Sequence, residues 1–70
     1  MIYEVHAVAY NFNEDDNDSL VIDKTVLGKR NAITLAKQCM ETINGQSAIV
    51  IDYATGEVIY ENSYGKEKIY

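Results

Sequence analysis

Ser47-Ala48-Ile49-Val50-Ile51-Asp52-Tyr53-Ala54-Thr55-Gly56-Glu57-Val58-Ile59-Tyr60-Glu61 reads as two β-branched and aromatic runs joined by a Gly-containing turn, which predicts a β-hairpin. Alternation within it puts Ile49, Ile51 and Tyr53 opposite Val58 and Tyr60 on the core side, with Asp52, Glu57 and Glu61 outside. The stretch carries no nucleophile, metal cluster or phosphate loop, so it speaks to architecture rather than to chemistry.

Working back from the hairpin, the period changes. Ala32, Ile33, Ala36, Cys39, Met40 and Ile43 recur at steps of three and four to form one apolar stripe, the mark of an amphipathic helix over Lys29 to Asn44. Gly28 suits its N-cap and Asn44-Gly45 its stop. Earlier still, Ile2 to Phe12 is rich in Val, Tyr and Ala and predicts a long central strand. Tyr3, Val5, Ala7 and Ala9 fall on one side of it, where small alanines let a helix approach closely; Ile2, Glu4, His6, Val8 and Tyr10 fall on the other. Asn13 to Asp18 breaks the pattern as an acidic turn, and Ser19 to Leu27 resumes a β-like run.

The order strand, strand, helix, strand, strand predicts an α+β fold: a four-stranded antiparallel sheet in the spatial order 2-1-3-4, with one helix on one face. The domain is expected over residues 1–62, with 63–70 a tail that frays or adds a short edge strand. Seventy residues allow one small core near the lower limit for a chain without staples, which makes a homodimer a natural further source of stability. With 47% apolar and 24% charged residues, the chain has globular rather than disordered composition. A lone Cys39 makes no internal disulfide, and the sequence shows no leader pattern or apolar run of membrane length. A cytoplasmic protein is the expectation.

The net charge of −5 is uneven. Residues 1–28 carry Glu4, Glu14, Asp15, Asp16, Asp18 and Asp23 against Lys24, whereas the helix carries Lys29, Arg30 and Lys37 against Glu41. An acidic chain is repelled by phosphate backbones, which argues against duplex nucleic acid. A module using the basic helix is the alternative. The acidic run fails as a helix-loop-helix calcium site, because counting from Asp15 puts Leu20 and Val26 where Gly and Glu are needed. Its bland reading is a solvated tip; the sharper one is that Glu14, Asp15, Asp16 and Asp18 imitate phosphates before a basic groove of another protein.

Catalysis finds no constellation. His6 is the one histidine and Cys39 lies on the apolar stripe, on the opposite side of the sheet from His6. No cofactor or metal motif is present. Of the six tyrosines, Tyr3, Tyr53 and Tyr60 read as core and Tyr10 as open face, where neighbouring carboxylates disfavour a base-stacking platform. One helix covers one face of the sheet, so the other is the functional question. That face is expected to present Glu4, His6, Val8, Tyr10, Val50, Asp52, Ile59 and Glu61. Val8, Tyr10, Val50 and Ile59 are its apolar candidates for protein binding, to another protein or to a second copy.

The run from Val26 through Lys29-Arg30-Asn31-Ala32-Ile33-Thr34-Leu35-Ala36-Lys37, then Ala48-Ile49-Val50-Ile51-Asp52 and Thr55-Gly56-Glu57-Val58-Ile59-Tyr60, resembles small phage and mobile-element proteins, some anti-CRISPR proteins among them. The likeness is one of element order over roughly residues 20 to 62. It implies a non-enzymatic accessory or inhibitor protein that acts by binding, and it carries over no functional residue.

Overall fold

The computed structural model describes residues 1–10, 19–42 and 46–70. The elements are β1 (Ile2–Tyr10), β2 (Ser19–Leu27), α1 (Lys29–Thr42), β3 (Ser47–Asp52), β4 (Val58–Ser63) and β5 (Lys66–Ile69). All pair antiparallel in one sheet of order β2-β1-β3-β4-β5, with α1 against one face. The α+β class and the order of the first four strands agree with the sequence reading; the sheet has five strands rather than four.

The fifth strand comes from a tight turn. Tyr64 and Gly65 both take positive φ, 53° and 87°, in a two-residue loop flanked by the Ser63/Lys66 pair. That handedness matches the twist of the flanking strands and so closes a short hairpin. Asn62, buried between the sheet and the helix side, accepts the Gly65 N–H on Oδ1 at 3.0 Å and donates from Nδ2 to the Tyr60 hydroxyl at 3.3 Å. The Tyr60 hydroxyl in turn donates to Glu67 Oε1 at 2.8 Å, and the same oxygen lies 3.7 Å from Lys37 Nζ on α1. β5 is thus tied to its turn, to β4 and to the helix by one chain of polar contacts.

Gly28 begins the helix. Its φ of +94° is the left-handed region that favours glycine, and its carbonyl accepts the first helical bond from Ala32 N–H at 3.0 Å. Asn31 Nδ2 donates back to the Leu27 carbonyl at 3.1 Å. Ala32, Ala36 and Cys39 are buried, while Ile33, Met40 and also Leu35, outside the expected stripe, pack against the buried cluster from the flanks. Ile43 and the Asn44-Gly45 stop lie outside the described residues. Among the described residues no helix is long and apolar enough to cross a membrane.

The sheet meets the helix with Tyr3, Val5, Ala7, Ala48, Val50 and Tyr60. Most of these are small, so the helix sits close, and the bulk of the core comes from Tyr60 and Tyr3 with Val5 and Val50. Here the expected phase of β3 is reversed. Val5 pairs with Val50 and His6 with Ile49, so Val50 joins the core, fully buried, and Ile49 and Ile51 take the open face. Asp52, expected on the open face, stands opposite Tyr3 and caps the turn by accepting Ala54 N–H on Oδ1 at 2.9 Å. Tyr53, expected in the core, is exposed.

Candidate binding surface

The register assembles, row by row, the face that no element among the described residues covers. One row crosses all five strands as Asp23, His6, Ile49, Glu61 and Lys68. The row on one side of it runs Thr25, Glu4, Ile51 and Val58; the row on the other side runs Val21, Val8, Ser47, Ser63 and Lys66. Ile2 and Leu27 extend the apolar part toward one end, with Ile2 46% and Val21 53% exposed. Ile49 and Ile51 make the centre of this surface aliphatic, His6, Glu4 and Glu61 stand beside them on β1 and β4, and the outer strands carry Val21, Asp23 and Leu27 on β2 and Lys66 and Lys68 on β5.

The candidate residues fall differently on it. Val8 lies on the open face, half-buried. Val50 does not; it is in the core. Ile59 sits where the β3/β4 register shifts by a bulge between Val50 and Ile51, and it packs against the buried cluster while remaining half-exposed. Bulges interrupt strict alternation, which is why counting by two misplaced this corner. Tyr10 stands opposite Ser19 in the register. Glu14, Asp15, Asp16 and Asp18 lie outside the described residues. The sequence reading missed Ile49 and Ile51, the two aliphatic side chains at the middle of the sheet.

His6 is held between two carboxylates, its Nδ1 by Asp23 of β2 and its Nε2 by Glu4 at 3.2 Å. Its neighbour on β3 is the uncharged Ile49. The Asp23 hydrogen bond raises the His6 pKa above its ordinary 6.5, partial burial opposes this, and Glu4 adds a further rise. A group whose pKa is higher folded than unfolded stabilises fully below the unfolded value and ceases to do so above the folded one. Unfolding free energy therefore falls as pH climbs from about 6.5 through the raised value, by less than about 1 kcal/mol because the side chain is one-third exposed (33%). Urea titrations at a series of pH values check this: His6→Gln should remove the slope in that window and leave the acid limb in place.

Elsewhere, Lys29, Arg30, Ile33, Thr34 and Lys37 line a shallow depression on the outer side of α1, bringing the basic residues of the helix onto one surface. Among the described residues no group of three or more His, Cys, Asp or Glu side chains is placed to hold a metal ion. Cys39 is a free, buried thiol on the helix side of the sheet, and His6 is on the other. Compared with protein-family models, with curated proteins and with solved structures, the chain matches none.

Proposed function

We propose that this chain is a small, non-enzymatic protein-binding accessory or inhibitor protein, and that the open face of its sheet is a binding surface for another protein or for a second copy of the chain. The observation that carries the reading is the aliphatic centre of that face, Ile49 and Ile51 on β3 with Val8 one row away on β1, set between Glu4 and His6 on one side and Glu61 on the other. The side of an antiparallel sheet that faces only water is mostly polar, whereas this face keeps aliphatic side chains on its central strand. The resemblance to small phage and mobile-element proteins supports an accessory role, and the free, buried Cys39 suits a reducing cytoplasm.

The test compares partner binding of the wild type with two folded variants. Ile49→Lys puts a charge in the centre of the face and is expected to weaken binding at least tenfold; Arg30→Glu alters the outer side of α1 and is expected to leave it unchanged. The reverse pattern would favour the second reading, a module that uses the Lys29, Arg30 and Lys37 surface on single-stranded nucleic acid, and its binding would weaken steeply with salt.

A further inference from the structure

The charges of the middle row have an order that bears on what covers this face. From β2 to β5 the row reads Asp23, His6, Ile49, Glu61 and Lys68: negative, positive when protonated, neutral, negative, positive. Read backwards, every sign is inverted about Ile49. A row with that property is complementary to a copy of itself turned over along the central strand.

We propose that the occupant of the open face is a second copy of this chain, packed face to face about a two-fold axis that runs along β3. The proposal rests on the open-face reading above and names its partner. Two in-plane two-folds are available to stacked sheets, one along the strands and one across them. The axis across the strands sets β2 over β2, with Asp23 above Asp23 and Lys68 above Lys68. The axis along β3 sets β2 over β5, so that Asp23 of each copy meets Lys68 of the other and His6 meets Glu61. Ile49 and Ile51 then pack on their own counterparts at the axis, where a self-complementary interface needs apolar groups. Like charges brought together at an interface repel, so the charges select the second arrangement.

The size of the face is sufficient. Five strands about 4.8 Å apart and some six residues long give a face of about 20 by 24 Å, and two such faces bury on the order of 1,000 Å² in all, the lower bound for a specific interface. Lys68 is well placed for the contact: on the edge strand, its ammonium lies over the Tyr70 ring at 4.8 Å, and Tyr70 donates to Glu61 at 3.0 Å, which holds both charges on the open side.

Sedimentation equilibrium from micromolar to millimolar concentration tests the proposal. The wild type is expected to dimerise within that range. Lys68→Glu and Asp23→Lys, each checked by circular dichroism to be folded, are each expected to weaken self-association at least tenfold, because each sets like charges against one another in its own homodimer. Mixed in equal amounts they should form a heterodimer, since Asp23 of one then faces Lys68 of the other, and the introduced lysine faces the introduced glutamate. A wild type that stays monomeric at millimolar concentration overturns the second copy as occupant while leaving the Ile49→Lys test of the open face standing. A dimer indifferent to both charge changes, or two monomeric variants that do not recover on mixing, overturns the axis along β3.

Discussion

Tyr60→Ala will cost about 3–5 kcal/mol of folding free energy, the range for removing a large aromatic side chain from a core. A domain of this length has about 4–10 kcal/mol to lose, so the variant gives up from about a third to all of its stability. The reason is local as well as volumetric. Tyr60 is fully buried on β4, pairs with Val50 and supplies the largest fully buried side chain of the cluster that includes the helix residues Ala32, Ala36 and Cys39. None of these small residues can close the gap, so the cavity persists. The hydroxyl contributes separately: it donates to Glu67 and accepts from the buried Asn62. Burial, with the Glu67 carboxylate beside it, pushes the phenol pKa up, which keeps the proton in place for that donation. Tyr60→Phe preserves the volume and should cost only about 1–2 kcal/mol, the penalty for leaving Asn62 with one bond fewer. Its further mark should be faster amide exchange in β5, because the Tyr60–Glu67 contact ties that edge strand to the sheet. Urea unfolding followed by circular dichroism measures the first effect and hydrogen exchange the second.

Val50→Lys should abolish folding, whereas Ile49→Lys, one residue away and with the same change of character, should cost about 1 kcal/mol. Val50 is fully buried against Val5 and Tyr60, and an ammonium placed there has no partner and no path to water short of displacing the helix, a cost of several kcal/mol. Ile49 is half-exposed beside Glu61 and His6, and a lysine there reaches solvent and gains an acidic neighbour. The pair of variants reads the phase of β3 directly: equal losses, or the larger loss at Ile49, would mean that the strand faces the other way. Thermal melts of the two proteins suffice. The outcome also governs the binding surface, since Ile49→Lys is useful as an interface probe only because it leaves the core intact.

Reading β3 correctly was beyond what its residues allow. Ala48-Ile49-Val50-Ile51 is an unbroken apolar run, so period-two alternation gives the strand a type but no phase, and a slip of one residue exchanges its two faces. The choice is made by β1, where Val5 and Ala7 are unambiguously on the helix side and their register partners Val50 and Ala48 must follow. β4 added a second obstacle, because the bulge opposite Ile51 breaks the count by two at Val58 and Ile59. For β5, Lys66 to Ile69 carries alternating charge and exposes every residue, which in isolation is a solvated tail. It becomes a strand because Tyr64-Gly65 turns the chain back and Glu67 reaches Tyr60 and Lys37.

What the amino-acid sequence determined by itself was everything governed by neighbours along the chain: the helix and its Ala32, Ala36 and Cys39 stripe, the Gly28 cap, the hairpin about Gly56, and the alternation of β1 that exposes His6 and buries Val5. These follow from local periodicity and from backbone conformations that few residues tolerate. Which of Ile49 and Val50 belongs to the core, whether the last residues pair, and how Asp23, His6, Ile49, Glu61 and Lys68 come to lie in one row were decided only by tertiary structure. Cross-strand register joins residues far apart in sequence, and no local signal carries it.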